Sequence, residues 1–439
     1  MEYRQDGAHE LNGDSKVQTL DIPKVGRQPD RPEARGGEKV TALDRWLVRK
    51  ILETGGNPPI GVVVWDGEEL RPPSPHAVGR VRLRDRRTLW KILANPDLGF
   101  GDAYTAGRID IEGNLVEILE TLYRATAAAA PAGLLKRQLV RWLSRPRSNS
   151  LRGSRENIHH HYDIGNDFYK LWLDDQLIYT CAYFPTRNAS LEQAQIAKMD
   201  HVCRKVQLNP GQRVVEAGCG WGALALHMAR HYGVKVRAFN ISHEQIALAR
   251  QRAKAMGLDG QVEFVEDDYR NIRGEYDVFV SVGMLEHVGV EHYHQLGTIA
   301  RRCLKPAGLG LIHSIGKNRQ SPMNPWLETR IFPGSYLPTL REMMNVFEPN
   351  GFSVLDVENL RLHYAKTLEH WLERFERVAD RVEAMFDQDF VRAWRLYLAG
   401  SLAGFTTGSI QLFQVVFAHA ANNAIPWTRA ALYTAESRR

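Results

Sequence analysis

The stretch of sequence that decides the fold is Glu216-Ala217-Gly218-Cys219-Gly220-Trp221-Gly222. It follows the short apolar run 213–217, which predicts a β-strand, and a helical pattern follows it. Small residues at such a turn let the backbone approach a ligand, and the N-terminus of the next helix favours anionic groups. The loop therefore predicts a nucleotide-type pocket at the end of a strand.

The residues around this loop favour one class of cofactor. A dinucleotide enzyme would carry GxGxxG, with an acid about 20 residues later for the ribose. Here Asn240 ends the next strand without an acid, and Glu216 stands two residues before the first glycine. That glutamate can reach the aminoacyl ammonium of S-adenosylmethionine, directly or through water. Asp268 can bind the adenine amino group, and Tyr269 can cover the ring.

Strand-like and helical runs alternate after the loop, most clearly around the helical run 244–256. Such alternation predicts a parallel, doubly wound sheet. The later predicted strands cover residues 234–240, 262–265, 276–282, 309–315 and 352–360. We expect an α/β fold: a Rossmann-like class I S-adenosylmethionine-dependent methyltransferase domain with a smaller N-terminal α+β domain.

The composition is that of an ordinary soluble globular protein with two or three domains. The 439 residues are 44% hydrophobic and 25% charged, with a net charge of +6. The basic balance favours an anionic partner, which nucleic acid, a phospholipid surface or an acidic substrate would satisfy. Four cysteines without a CxxC pair indicate neither a zinc site nor a disulfide framework, and a cytoplasmic location is the simplest.

We expect four segments along the chain. Residues 1–38 predict a disordered tail, 39–125 the small α+β domain, 126–156 a basic amphipathic linker, and 157–439 the catalytic domain. The linker carries seven Lys and Arg residues against one acid. It suits either an anionic membrane surface or the surface of a neighbouring domain. The run 396–428 contains no Asp, Glu, Lys or Arg, and we interpret it as a buried core helix rather than a membrane span. No signal peptide is visible.

Several segments resemble those of cyclopropane-fatty-acyl-phospholipid synthases. The likeness runs from about residue 157 to the C-terminus, and more weakly over 40–125. It is specific for the superfamily and less so for the substrate. The segments are 160–169, 179–184, 216–222, 281–289, 311–316, 331–334, 363–364 and 410–417.

The resemblance implies an activity and a set of site residues. Members move the methyl carbon of S-adenosylmethionine onto a cis double bond of a phospholipid acyl chain, through a carbocation that loses a proton to a bound bicarbonate ion. The implied catalytic residues are Cys181 and Ile315, both through the backbone, with Glu286, His313 and Tyr364. The implied cofactor contacts are Tyr179, Thr180, Glu216, Gly218, Gly220, Gly222, Asn240, Ile241, Gln245, Asp268 and Tyr269. Glu216 and Thr180 stand where Asp and Ser are common, which are mild departures.

The resemblance also implies partners and a location. We expect unsaturated phospholipids at a membrane surface, no nucleic acid, a homodimer, and a peripheral position at the inner membrane face. We expect Glu286 to face the site and His287 to point away, as on an extended segment. Aromatic side chains are expected to wall the cavity and face the cation. They are Tyr179, Tyr183, Phe184, Trp221, Trp326, Phe332 and Tyr336.

Other readings of the same residues remain open. The acyl chain could be C-methylated without ring closure, or the substrate could be a small-molecule amine that is N-methylated. A protein of a different class, an inactive lipid-binding protein, is disfavoured by the intact Glu286, His313 and Tyr364. Metal binding by residues 159–161 is disfavoured because consecutive histidines do not converge on one ion. A nucleophilic Cys181 is disfavoured because no base is fixed near it.

Overall fold

The computed structural model describes residues 39–71, 77–128 and 164–433. The described helices are α1 (Ala42–Thr54), α2 (Arg86–Ala94), α3 (Pro96–Thr105), α4 (Leu115–Ala128), α5 (Asn166–Tyr169), α6 (Leu191–Lys205), α7 (Ala223–Tyr232), α8 (His243–Ala255), α9 (Tyr293–Cys303), α10 (Leu340–Phe347), α11 (Arg361–Arg377), α12 (Ala379–Met385), α13 (Gln388–Thr407) and α14 (Ala430–Tyr433). The strands are β1 (Ile60–Val63), β2 (Glu69–Leu70), β3 (Gly79–Leu83), β4 (Ile109–Glu112), β5 (Arg213–Ala217), β6 (Lys235–Asn240), β7 (Val262–Glu266), β8 (Tyr276–Val282), β9 (Leu304–Gly316), β10 (Phe352–Asn359) and β11 (Gln411–His419).

The large sheet has seven strands in the order β10-β11-β9-β8-β5-β6-β7. Strand β5 lies between β6 and β8 and is parallel to both. Strand β11 runs antiparallel to β9 and to β10. The sheet is therefore mostly parallel, with one reversed strand, and the predicted Rossmann-like α/β fold is confirmed. The glycine-rich loop lies at the carboxyl edge of β5, where ligands bind in such sheets.

The prediction of one buried helix over residues 396–428 was wrong in its second half. Helix α13 ends at Gly408, whose φ of 78° is left-handed, and β11 follows. This strand is buried on both faces, so it shows the continuous apolar pattern of an interior strand and no charge. A lack of charge is common to buried helices and buried strands, and the sequence run did not distinguish them. Among the described residues, no helix is long and apolar enough to cross a membrane.

The N-terminal module, residues 39–128, forms its own four-stranded sheet in the order β2-β1-β3-β4. It packs on the larger domain through a guanidinium from α13. Arg392 donates to the carbonyls of Tyr104 and Ile109 at 2.6 and 2.7 Å, and lies 4.3 Å from the centroid of the Tyr104 ring. Residues 1–38 and most of the predicted 126–156 linker lie outside the described residues, and α4 continues to Ala128.

Side chains at the helix N-termini explain where several helices begin. Thr41, Ser190 and Thr339 each accept a hydrogen bond from the third backbone N–H of the helix that follows, and the residue there returns a side-chain bond. These capping boxes satisfy backbone donors that would otherwise be unpaired. They fix the start of α1, α6 and α10 from local sequence alone.

Candidate active site

The glycine-rich loop turns sharply between β5 and α7. Gly218, Gly220 and Gly222 have φ values of 85°, 52° and 80°, which favour glycine. The backbone N–H groups of Gly218 and Cys219 donate to the carbonyl of Phe239 at the end of β6, at 2.9 and 3.0 Å. The loop is thus fixed to the neighbouring strand and opens the first of two adjoining cavities.

The first cavity is narrow, about 130 Å³, and most of the predicted cofactor contacts line it. Ile241 does not line it, although its N–H orients the Asn240 side chain by donating to Oδ1 at 2.8 Å. Asp268 and Tyr269 also lie outside the lining. Asp268 pairs with Arg270 at 3.0 Å, and that guanidinium lies 4.9 Å from the centroid of the Tyr269 ring. The predicted contacts in the lining are Tyr179, Thr180, Glu216, Gly218, Gly220, Asn240 and Gln245.

Gly222 does not line the first cavity and has a structural role instead. It is the N-cap of α7, and a Cβ added there would lie 2.4 Å from the Phe264 ring and 3.0 Å from Ala249. A Cβ added at Gly220 would meet nothing within 4 Å. The two glycines therefore serve different ends: one lets β7 and α8 pack close to the loop, and the other leaves room for a ligand.

This difference gives a first prediction. Gly222→Ala should lose about 2–4 kcal/mol of unfolding free energy, because a strained φ adds to an overpacked contact. Gly220→Ala carries the φ cost alone, about 1 kcal/mol, but places a methyl group in the cavity. Thermal melts should separate the two variants, and titration with S-adenosylhomocysteine should show weaker binding by Gly220→Ala. Equal melting temperatures would contradict the assignment.

A buried lysine that the sequence analysis missed lies beside the loop. Lys198 on α6 lines the first cavity and donates to Thr180 Oγ1 at 3.0 Å. Burial lowers its pKa to about 8, and the charges of Asp174 and Glu216 oppose that fall. The signal available in the sequence was a lysine at a helical spacing from apolar residues in the run 191–205, since a buried lysine is rare without a partner.

Glu216 faces this lysine in a buried position at the end of β5. Its Oε2 atom has no hydrogen-bond partner among the described residues. Burial raises the pKa of Glu216 to about 8, and the charge of Lys198 opposes that rise. An unpartnered carboxyl oxygen inside a cavity suits a cationic ligand group.

The second cavity is larger, about 470 Å³, and mostly apolar. It adjoins the first along a shared border of Tyr179, Thr180, Gly283 and His287. Three of the predicted catalytic residues line it, namely Glu286, Ile315 and Tyr364. The arrangement places a mostly apolar space directly against the first cavity, with a buried carboxyl group beside their border.

Glu286 lies on the short 3₁₀-helix Leu285–His287 and not on the extended segment we expected. Its Oε1 accepts from the backbone N–H of Ile315 at 2.7 Å, while Oε2 has no partner among the described residues. Burial raises the pKa of Glu286 to about 7, and the Ile315 hydrogen bond opposes that rise.

The expectation that His287 points away from the site was wrong. The tight turn of the 3₁₀-helix brings both neighbours to the cavities, and His287 lines both of them. Burial lowers the pKa of His287 to about 4, so the imidazole is neutral at physiological pH.

Cys181 and His313 are buried behind the cavities and line neither of them. Burial raises the pKa of the Cys181 thiol, which argues against a nucleophilic thiolate. Burial lowers the pKa of His313 well below its usual range, and its Nδ1 lies 3.1 Å from Gln414 Nε2. The N–H groups of Ala182 and Phe184 donate to Thr367 Oγ1 and His363 Nδ1, which ties the Cys181 segment to α11, the helix that carries Tyr364.

Only some of the aromatic residues that were predicted to wall the site line the two cavities. Tyr179 and Phe332 line the second cavity and Trp221 lines the first, whereas Tyr183, Phe184, Trp326 and Tyr336 line neither. Tyr397, which the sequence analysis missed, replaces them: its hydroxyl lies 2.7 Å from that of Tyr179. Tyr364 stacks on Phe405 with ring centroids 4.4 Å apart.

Comparisons with known proteins agree with this geometry. The family model described as mycolic acid cyclopropane synthetase matches residues 149–415, and a model for a domain of unknown function matches residues 47–131. A probable fatty acid methyltransferase of Pseudomonas putida is 35% identical over 388 residues, covering 85% of this chain and 96% of the relative. A cyclopropane-fatty-acyl-phospholipid synthase of Escherichia coli K12 is 40% identical over 266 residues, covering 60% and 68%.

A solved structure supports the same grouping. A mycolic acid cyclopropane synthase complexed with SAH and CTAB superposes with a TM-score of 0.57 at 30% identity. The superposition covers 60% of this chain and 97% of that one.

Proposed function

Because the chain belongs to the mycolic acid cyclopropane synthetase family, we propose that it transfers the methyl carbon of S-adenosylmethionine to the cis double bond of unsaturated phospholipid acyl chains. The product is a cyclopropane fatty acid. The observation that carries this proposal is the second cavity, a mostly apolar space of about 470 Å³ that meets the first cavity beside the buried carboxyl of Glu286.

The residues of the first cavity fit S-adenosylmethionine, which supplies an electrophilic methyl group when bound. The unpartnered Oε2 of Glu216 suits its ammonium group, and Gly220 leaves room for its backbone-like part. Asn240 and Gln245 hold each other through a 2.7 Å hydrogen bond and present polar groups to the same cavity. Tyr179 and Thr180 stand at the border, where the transferred carbon must pass.

The second cavity fits the other reactant, an acyl chain. Alkene π electrons form the new bond to the methyl carbon as its bond to sulfur breaks, which leaves a cation on the second alkene carbon. Loss of a proton from the new methyl group lets the ring close, for a net gain of CH2. The carboxyl of Glu286 stabilises the cation by charge, and the aromatic walls at Tyr364 and Phe405 exclude water that would quench it.

We propose that the proton leaves to a bicarbonate ion held beside Glu286 and Tyr364. The supporting contacts are fewer than the five that the resemblance implies. The Ile315 N–H is already donated to Glu286, and neither Cys181 nor His313 lines a cavity. The group that fits is Glu286: the unpartnered Oε2 of its carboxylate can accept a hydrogen bond from the hydroxyl group of the ion.

We further propose that the chain meets its substrate at an anionic membrane surface, as a homodimer peripheral to the inner membrane face. The net charge of +6 supports attraction to such a surface. The basic stretch 136–155 of the linker, which lies outside the described residues, is the segment that we assign to this contact.

Product analysis tests the proposal. The full chain is incubated with cis-unsaturated phospholipid vesicles and methyl-labelled S-adenosylmethionine, and the fatty esters are analysed by mass. We expect a gain of one CH2 with loss of the alkene, and a lower yield in high salt, which screens surface attraction. No labelled lipid under any salt condition would overturn the proposal.

The second candidate function is C-methylation of the acyl chain without ring closure. It is favoured by the P. putida relative, which is named a probable fatty acid methyltransferase. The same assay separates the two, because a methyl or methylene product gains CH2 and keeps an alkene.

A further inference from the structure

The N-terminal module reaches into the second cavity with two polar side chains. Asp97, in the first turn of α3, and Tyr123, on α4, both line this cavity and do not line the glycine-loop cavity. The model that matches this module is that of a domain of unknown function. The wall is mostly apolar, so two polar groups supplied by a separate module suit a ligand group that matches them.

Tyr123 points at the cavity wall formed by α13. Its hydroxyl lies 3.5 Å from where a Cβ would be at Gly400, a residue that also lines the cavity. Burial, with a smaller contribution from the charge of Asp97, raises the pKa of the Tyr123 phenol to about 12. The phenol is therefore a hydrogen-bond donor at any physiological pH.

Asp97 stands beside this phenol without a counterion. No cation pairs with it in the part of the chain that the structure describes. Partial burial raises its pKa, and no described charge opposes that rise, while the residue remains exposed to solvent at the cavity wall. Lys317, which also lines the second cavity, donates from its ammonium group to the carbonyls of Ser321 and Pro322, at 3.4 and 2.7 Å.

These two groups do not suit the methyl end of an acyl chain. A hydrocarbon tail against them would leave a carboxylate and a phenol unpaired, at about 1–3 kcal/mol each. They suit the polar end of a lipid: the phenol donates to an ester carbonyl, and the carboxylate accepts from a cationic headgroup.

We propose that Asp97 and Tyr123 form a headgroup subsite, through which the N-terminal module selects lipids that carry an ammonium group over anionic ones. The subsite rests on the proposed function, because it presupposes a phospholipid in the second cavity. It assigns the module a part in substrate selection.

A competition assay tests the subsite. Phosphatidylethanolamine and phosphatidylglycerol with the same cis-unsaturated chains, one of them isotopically labelled, are mixed in one vesicle, so that vesicle binding is common to both. Ring formation on each lipid is measured by mass. We expect wild type to prefer phosphatidylethanolamine by about fivefold, the scale of one partly exposed ion pair, and Asp97→Asn to bring the ratio close to one.

Two further variants sharpen the result. Tyr123→Phe should slow the reaction on both lipids and leave their ratio unchanged, because an ester carbonyl is common to them. Glu117→Gln is the matched control: Glu117 is an exposed acid in the first turn of α4 and lines neither cavity, so the ratio should remain that of wild type. An Asp97→Asn ratio equal to that of wild type would overturn the subsite. Absence of product from both lipids with wild type would instead overturn the proposed function.

Discussion

A Glu286→Gln variant is expected to lose about 10²–10³-fold in kcat and yet to unfold at a higher temperature than wild type. Removing one positioned electrostatic group from a site where charge develops typically costs that much in rate. Glutamine keeps the acceptor for the Ile315 N–H, which now bonds Glu286 Oε1 at 2.7 Å, so the local backbone should hold. Cofactor affinity should not change, because Glu286 does not line the first cavity.

The stability gain follows from the sign of the pKa shift. The folded protein holds the Glu286 proton up to about pH 7, whereas the unfolded chain releases it near 4.5. Stability from this group therefore falls as pH rises from 4.5 to 7 and stays lowered above that. The difference between the folded and unfolded pKa values corresponds to on the order of 3 kcal/mol of unfolding free energy, which the glutamine variant would recover at pH 8.

A second glutamate provides the matched control. Burial alone would raise the pKa of Glu358, but hydrogen bonds from His201 and Lys205 outweigh it and lower the pKa to about 2. Glu358→Gln should therefore lower the melting temperature at pH 8, opposite to Glu286→Gln, and spare the chemistry. Thermal melts and steady-state rates from pH 6 to 9 check both. Near wild-type turnover by Glu286→Gln would contradict the assigned role.

The Glu286→Gln variant also tests which group accepts the proton as the base. With bicarbonate as the base, wild type should lose activity in bicarbonate-depleted buffer and regain it when the ion is added back. An unchanged rate in depleted buffer, together with an inactive Glu286→Gln, would make the Glu286 carboxylate itself the base. In that case kcat should rise with pH through about 7.

The fold was largely predictable because its central strands are buried on both faces. The runs 213–217 and 276–282 predicted β5 and β8 to the residue, since an apolar run bounded by turns has few other solutions. The wrong assignment came at β11, whose sequence lacks charge for the same reason that a buried helix lacks it. Its antiparallel place between β9 and β10 depends on partners more than 50 residues away, which no local pattern reports.

The site was predictable only where a motif is local. Glu216 and Gly220 follow from one loop, and the structure places both in one cavity. Asp268 and Tyr269 follow from the same reasoning, yet Asp268 is held by Arg270 and neither lines the cavity. The position of Asp97 in the wall of the second cavity could not be predicted from the sequence, because it depends on how a separate module packs.

The other prediction with a large expected effect concerns the first cavity. A Glu216→Gln variant should bind S-adenosylhomocysteine about 30-fold more weakly than wild type at pH 8.5, because truncating one partner of a buried charge pair costs 2–5 kcal/mol. The carboxyl lies buried at the end of β5 with Oε2 unpartnered, so the ligand's ammonium group would be its hydrogen-bonding partner. Glu263→Gln, an exposed position on β7, is the control and should bind as wild type does.

The proton balance of binding makes this prediction specific. With a pKa of about 8, Glu216 is mostly protonated in the free protein at pH 7, and an arriving ammonium group lowers that pKa. Binding at pH 7 should therefore release close to one proton, and affinity should rise with pH until about 8. Calorimetry in two buffers of different ionisation enthalpy measures the release, which Glu216→Gln should abolish.

Lys198→Met removes the cation that holds the Glu216 pKa down, so the release should persist to higher pH than in wild type. Equal proton release by wild type and Glu216→Gln would show that the ammonium group binds elsewhere.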